Sequence, residues 1–382
     1  MLSGDSQEYR NNSSSWTHAF QTTAIQQLRA LYLDNINCSM ESIITLLNTC
    51  CNTIQELQLD RSGETQVLDK RILQRLQTLP QLGTLSLRRV KFADESSVLT
   101  LLSRLPTLEN LIFKDWAPFI LPEQAAPFLI NLKHLTYEDT RQFFMSFSML
   151  MDPGVPVFLS QPGSKLETFS MTNLGFNVPF RDLLALAALP SLKSLCVNII
   201  AHSNHYINQE PNEEEKEQHL LEFFKAFLRE GDNHNMRRSI TTASTATIKH
   251  LIFDRVYKMT YARLSVLGDL TNLQSIDITF FGTHHLDNTK SLATADNACL
   301  SLDLCGVLEL LRKGRKLRMA VFCLVISSGN HIPYDYLKTK LVEQKQSNFQ
   351  LRKYVVKCIN RDPLSTKMLF HNSMYIINTH YK

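Results

Sequence analysis

The chain has 382 residues, a formal net charge of +4, 44% hydrophobic and 20% charged residues, and only 12 glycines and 13 prolines. That length exceeds the usual size of one compact domain and implies two or three globular units or one elongated array, while the low glycine and proline content argues against long disordered tracts. So small a net charge argues against an overall electrostatic grip on nucleic acid or an anionic membrane, and leaves charge-based recognition to local patches.

Residues 1–24 form a polar N-terminal segment. Its opening, "MLSGDSQEYRNNSSSWTHAF", has no apolar stretch suited to a signal peptide, and the longest apolar run of the chain, "MAVFCLVI" at 319–326, is too short to span a bilayer. A cytoplasmic or nuclear protein is expected. The eight cysteines fit that expectation: none forms a Cys-x-x-Cys pair, and adjacent Cys50 and Cys51 suit neither a zinc ribbon nor a redox pair. They read as buried thiols in a reducing compartment, where the sequon-like triplets at Asn11, Asn12 and Asn37 carry no glycan.

From Leu28 onward apolar residues recur at relative positions one, four and six, usually with a ninth. Leu28, Leu31, Leu33 and Ile36 make the first copy; Ile54, Leu57 and Leu59 the second; Leu82, Leu85, Leu87 and Val90 the third. Leu108, Leu111, Phe113 and Trp116 follow, then Leu132, Leu135 and Tyr137, then Leu166, Phe169, Met171 and Leu174. Leu192, Leu195, Val197 and Ile200 come next, and after a gap Ile248, Leu251, Phe253 and Val256, and Leu273, Ile276, Ile278 and Phe281. Successive first positions differ by 26, 28, 26, 24, 34, 26, 56 and 25 residues.

Side chains two apart in a strand share a face, so positions four and six turn inward and positions three, five and seven outward. Between strands the spacing becomes helical. After Val90 and Phe92, "ADESSVLTLLSRLP" offers Asp94 as an N-cap, Val98, Leu101, Leu102 and Leu105 on one face, and Pro106 as a stop. "SMESIITLLNTCC" and "PFRDLLALAALP" occupy the same place in their own repeats. Each repeat is a strand, a loop and a short helix whose apolar faces need neighbours.

Two segments break the period. "MSFSMLMDPGVPVFLSQPGS" at 145–164 reads as a long loop, and the 56-residue step marks an insertion at about 203–246. Within the insertion "HSNHYINQEPNEEEKEQ" is polar and acidic, and its part "EPNEEEKEQ", Glu210 to Gln218, is expected to be a solvated, mobile excursion, with "HLLEFFKAFLRE" the delayed helix and "GDNHNMRRSITTASTA" a returning loop. Residues 25–316 thus form the repeat array, and 317–382 atypical C-terminal repeats or a cap. There "MAVFCLVIS" and "LRKYVVKCIN" read as strands with "YDYLKTKLVEQKQ" as a helix between them, and "KMLFHNSMYIIN" as a last strand.

Period and spacing together resemble the leucine-rich-repeat family, of the ribonuclease-inhibitor-like kind, over roughly residues 25–281. The resemblance implies an α/β horseshoe solenoid with a parallel sheet on the concave side and helices on the convex side. "LLNTCCNTIQELQL" and "VKFADESSVLTLLSRLPTLENLIF" look like the degenerate repeats behind the F-box of F-box/leucine-rich-repeat proteins. One departure is that the ninth position, usually Asn or Cys in the family, is here Ile36, Val90, Trp116, Leu174, Ile200, Val256 or Phe281. No polar ladder is therefore expected in the loops.

An F-box needs about 40–50 residues ahead of the repeats, and only 24 precede Ile25. "LPEQAAPFLI" at 121–130 begins like one, but "NLKHLTY" follows at once, so it reads as the helix-side segment of its own repeat. In that family the F-box binds the Skp adaptor of a cullin ubiquitin ligase. Ligase components are expected partners only if an F-box lies upstream.

No catalytic constellation is visible: there is no Gly-Lys-Ser/Thr phosphate loop, Gly-x-Gly-x-x-Gly, Gly-x-Ser-x-Gly or His-Glu-x-x-His. "HSNH" at 202–205 and His284-His285 have no Cys or carboxylate at ligand spacing and read as surface histidines. "RKGRKLR" at 312–318 could touch phosphate, yet a basic last helical turn complementing its dipole explains it as well. No cofactor, metal, nucleic acid or membrane is expected to bind.

What remains is the outward face. At its rim Asp60, Arg61, Arg88, Arg89, Lys114, Asp115 and Glu138 form a mixed-sign patch from adjacent repeats and are the candidate partner-binding residues. Solvation of an exposed sheet face explains such polarity equally well. The expected function is a non-enzymatic protein-interaction scaffold, similar to the substrate-recognition part of F-box/leucine-rich-repeat ubiquitin-ligase receptors, with a partner protein on the concave face. The alternative is a regulator of a small GTPase similar to Ran GTPase-activating proteins, whose repeats are more regular and carry Asn at the ninth position.

Overall fold

The structure, a computed structural model, describes residues 2–3, 26–34, 40–60, 66–114, 127–138, 163–172, 184, 186–187, 189–198, 213–228, 247–256, 261–281, 302–327, 353–361 and 372–378. The chain divides into two compact units, one of Met1–Gly175 with Leu189–Leu192, the other of Phe176–Ala188 with Lys193–Lys382. Both are α/β, with mainly parallel strands.

The first unit runs β1 (Leu2–Ser3), β2 (Ala30–Asp34), α1 (Met40–Thr49), β3 (Glu56–Asp60), β4 (Gln66–Val67), α2 (Lys70–Leu76), β5 (Thr84–Arg88), β6 (Val90–Lys91), α3 (Glu95–Ser103), β7 (Asn110–Lys114), β8 (His134–Glu138) and β9 (Thr168–Thr172). Strands β1, β2, β3, β5, β7, β8 and β9 pair in that order, all parallel, and β4 pairs with β6 in a separate two-stranded sheet. The two residues of β1 belong to the segment read as merely polar.

Every long strand from β2 to β9 starts two residues after the first position of its repeat. The backbone shows why the start is so regular: the carbonyl at position two accepts two N–H groups from the next repeat. Arg29 O accepts from Gln55 N at 2.7 Å and Glu56 N at 3.0 Å, and Gln55 O accepts from Gly83 N at 2.8 Å and Thr84 N at 3.0 Å. The same fork joins Gly83 to Glu109 and Asn110, and Glu109 to Lys133 and His134. Just ahead of the strands Thr53 Oγ1 donates to Leu28 O at 2.8 Å, and Thr107 Oγ1 donates to Leu82 O at 3.0 Å, tying consecutive repeats together. Backbone carbonyls that burial would otherwise orphan are thus satisfied.

In this register Leu57, Leu85, Leu111, Leu135 and Phe169 stand side by side at position four. These and the position-six residues Leu59, Leu87, Phe113, Tyr137 and Met171 are all buried, together with Ile43, Leu46 and Leu47 of α1, Ile72, Leu73 and Leu76 of α2, and Val98, Leu101 and Leu102 of α3. Each such side chain contributes about 1.5–3 kcal/mol relative to exposure, so the core is one layer between strands and helices. Asp94 caps α3 as expected, its Oδ1 accepting from Ser97 N at 2.7 Å, and Asp69 caps α2 through Arg71 N at 2.7 Å.

The second unit runs β10 (Ser194–Asn198), α4 (Glu213–Ala226), β11 (His250–Val256), α5 (Tyr261–Gly268), β12 (Ser275–Phe281), α6 (Leu302–Lys313), β13 (Met319–Ser327), β14 (Lys353–Arg361) and β15 (Asn372–Asn378). Strands β10 to β14 are parallel in chain order, and β15 lies antiparallel to β14. Phe223 and Phe224 of α4 pack on Phe253 of β11, with ring centroids 6.2 and 5.4 Å away. At Gly268 α5 approaches α6 so closely that a Cβ would sit 2.9 Å from Lys313 Cβ and 3.1 Å from Leu310 Cα.

Two readings change. Glu213–Gln218, expected within a mobile excursion, is instead the opening of α4, and the buried Phe223, Phe224 and Phe227 downstream anchor that helix. The first residues of the expected excursion, Glu210 to Asn212, lie outside the described residues, as do His202 to His205, His284, His285, Asn11, Asn12, Asn37, residues 145–162 and residues 334–346. The spacing also persists further than expected. Leu317, Ala320 and Phe322 repeat positions one, four and six and are buried, and Leu351, Tyr354 and Val356 repeat them again, so that Ala320 pairs with Tyr354 and Phe322 with Val356.

Candidate functional site

The first unit's sheet turns positions three and five away from the core. Across β2 to β9 these are Tyr32, then Glu56 and Gln58, Thr84 and Ser86, Asn110 and Ile112, His134 and Thr136, and Thr168 and Ser170. Neighbouring strands lie about 4.8 Å apart, so the side chains form two rows. Asn110 Nδ2 donates to Thr84 Oγ1 at 2.7 Å, and the Tyr32 hydroxyl donates to Glu56, whose carboxylate holds it above its ordinary pKa. Ser86 is buried, Tyr32 and Glu56 are exposed, and the others are half-buried. Glu56 is the one carboxylate in these two rows; the remaining polar groups are hydroxyls, amides and the His134 imidazole.

Row seven carries the charge and is organised differently. Asp60 was expected outward, yet its side chain is 0% exposed, because Arg88 on the next strand and Arg89 beyond it cover the carboxylate. Arg88 Nη1 donates to Oδ2 at 3.1 Å, while Arg89 donates to Oδ1 from Nε at 2.9 Å and from Nη2 at 2.6 Å. Arg89 reaches there from a left-handed backbone, φ 55°, with its N–H bonded to Lys114 O at 2.9 Å. A non-glycine residue in that region carries about 1–2 kcal/mol of strain, which the twin contact to Asp60 offsets. Lys114 Nζ then pairs with Glu138 Oε2 at 3.0 Å. Of the seven candidate residues, Asp60, Arg88 and Arg89 therefore form one cluster and Lys114 and Glu138 a second on β7 and β8, while Arg61 and Asp115 lie outside the described residues.

No family model matches the chain, and no curated protein matches it. The chemistry has to be read from the side chains themselves.

Among the described residues no group of three or more His, Cys, Asp or Glu is placed to hold a metal ion, and no helix is long and apolar enough to cross a membrane. Cys50, Cys51 and Cys196 are free thiols. Burial pushes the Cys50 thiol up to about 11, and its Sγ–H donates to Leu46 O at 3.1 Å, so it is a poor nucleophile at neutral pH. The basic run at 312–318 begins with two tethered residues: Arg312 pairs with Glu309 at 2.5 Å and Lys313 with Asp269 at 3.0 Å. The Arg312 hydrogen bond holds the Glu309 carboxyl below its usual range.

Proposed function

We propose that this chain is a non-enzymatic protein-interaction scaffold of the leucine-rich-repeat solenoid type, and that a partner protein lies on the open face of the first unit, across β3 to β9. The proposal rests chiefly on the two in-register rows, from Gln58 and Thr84 to Thr168 and Ser170, of side chains that are almost all uncharged and able to hydrogen-bond. Their strands share one repeat spacing and one buried opposite face. Function on such a scaffold lies in the site and not in the fold.

The ion pairs move the proposed contact from row seven to rows three and five. Asp60 with Arg88 and Arg89, and separately Lys114 with Glu138, hold the carboxyl ends of β3, β5, β7 and β8, so they frame the face. A partner that meets it makes hydrogen bonds to Thr84, Asn110, His134 and Thr136 and packs on Ile112, with little salt dependence, since no net charge is exchanged. This resembles the substrate-recognition part of F-box/leucine-rich-repeat proteins.

A photo-crosslinking amino acid placed in turn at Gln58, Ile112 and Thr136, and at Thr100 on α3 as the control, tests the proposal in the native cell. The same polypeptide should be trapped from at least two open-face positions and not from Thr100. Trapping only from Thr100, or from no position, counts against it.

A further inference from the structure

One carboxylate on the open face of the first unit has an aromatic ring beside it and no cation. Glu56 opens β3 at position three and is exposed, and its carboxylate takes one hydrogen bond, from the Tyr32 hydroxyl to Oε2. Other carboxylates of this sheet are answered by cations of neighbouring repeats: Asp60 by Arg88 and Arg89, Glu138 by Lys114, and Glu109 by Lys133. Glu56 is not. Its neighbours in row three are Ala30 and Thr84, and row five beside it holds Tyr32, Gln58 and Ser86. Arg29, one residue ahead of Ala30, gives Glu56 a backbone carbonyl but no side-chain ion pair.

Tyr32 stands opposite Gln58 and reaches diagonally to Glu56, with its side chain exposed, while Ala30, directly across from Glu56, carries only a methyl group. Neighbouring strands are about 4.8 Å apart, so the ring, the methyl group and the unused Oε1 lie within reach of one incoming side chain. An ionised carboxylate accepts up to about four hydrogen bonds, and the face of a tyrosine ring attracts cations. Both features ask for positive charge.

We infer that Tyr32 and Glu56 receive an arginine side chain of the protein that meets this face. The inference rests on the open-face reading and adds the residue type that the partner presents at the β2–β3 end. A guanidinium is planar, stacks on an aromatic ring and donates in a fork, so it can lie on Tyr32 while bonding Oε1. A lysine ammonium is a more strongly hydrated point charge with no plane to stack. A metal ion such as calcium needs about six to eight oxygen ligands, and among the described residues no group of three or more His, Cys, Asp or Glu is placed to hold one. A single exposed ion pair brings only a shallow salt dependence, in keeping with the rest of the face.

The test places a fluorotyrosine at position 32 of the full chain and follows its fluorine resonance at constant ionic strength. The probes are N-acetylarginine methylamide, its lysine equivalent and its neutral citrulline equivalent. The arginine compound should move the resonance at least threefold further than the citrulline compound, and further than the lysine compound. Glu56→Gln, which keeps an acceptor for Tyr32, should abolish the difference, and Glu41→Gln on α1 should leave it; circular dichroism checks folding. Equal shifts from arginine and citrulline, a larger shift from lysine, or a difference that survives Glu56→Gln would overturn the inference. A second arm repeats the photo-crosslinking from Ile112 with Glu56→Gln. Trapping that falls at least fivefold supports the arginine contact, and unchanged trapping overturns it while the open-face reading stands. Absence of trapping in the parent counts against the open-face reading instead, and the fluorine arm then decides the fate of the corner alone.

Discussion

Replacing Tyr137 by Phe should stabilise the protein. Tyr137 fills position six of β8, its ring stacked on Phe113 with centroids 5.4 Å apart, and its hydroxyl is buried with no hydrogen-bond partner among the described residues. A hydroxyl withdrawn from water without a partner costs about 1–3 kcal/mol. Phe keeps the ring, the stacking and nearly all the volume while deleting the orphaned oxygen, so Tyr137→Phe should raise the unfolding free energy by about 1 kcal/mol at neutral pH. Urea unfolding of parent and variant side by side measures this as a shift in midpoint at constant slope.

Alkaline pH adds a second reading. Burial pushes the Tyr137 hydroxyl far above its ordinary value, so the folded state holds the proton that the unfolded chain releases. Stability is therefore fully present below the unfolded value near 10 and falls by about 1.4 kcal/mol per pH unit above it. The variant lacks this loss, and its advantage should widen from pH 9 to 11. A variant less stable by 1 kcal/mol or more, or an advantage flat across that range, would show that the hydroxyl is bonded.

Removing both guanidinium groups with Arg88→Ala/Arg89→Ala takes the ion partners from the buried Asp60 carboxylate and should cost about 3 kcal/mol; adding Asp60→Ala should restore part of the loss in the same thermal assay. Gly268→Ala forces a Cβ against Lys313 and the α6 backbone and should cost about 1–3 kcal/mol by calorimetry. Among the thiols, Cys51 should be alkylated by iodoacetamide in the folded protein at pH 8, and Cys50 only after unfolding, as read by mass spectrometry.

Much of the architecture was legible because one rule applied at every repeat. Leu, Ile and Phe at positions one, four and six mark where each strand starts, and Asp94 with Val98 and Leu101 marks α3 in the same way. The tenth copy was hidden by Ala320, a small residue at a position held elsewhere by Leu, Ile or Phe, and by the longer step that precedes it. Composition misled at Glu213–Gln218, where the apolar anchor lies several residues downstream of the charges. At the candidate site the signs of Asp60, Arg88 and Lys114 could be read, but not their pairing. That depends on strand register, and on the left-handed backbone of Arg89, which brings its guanidinium back over Asp60.

The central claim is that the first unit's sheet has one face sunk in the core and one face open, alternating residue by residue. Leu111 and Ile112 are adjacent in β7, the first fully buried at position four and the second only half-buried at position five. The most direct measurement is urea unfolding of Leu111→Asp beside Ile112→Asp. The first should lose more than about 3 kcal/mol by burying an unpaired charge, and the second less than about 1 kcal/mol. Equal losses, or a larger loss at Ile112, would contradict the assignment of faces and the open surface proposed on it.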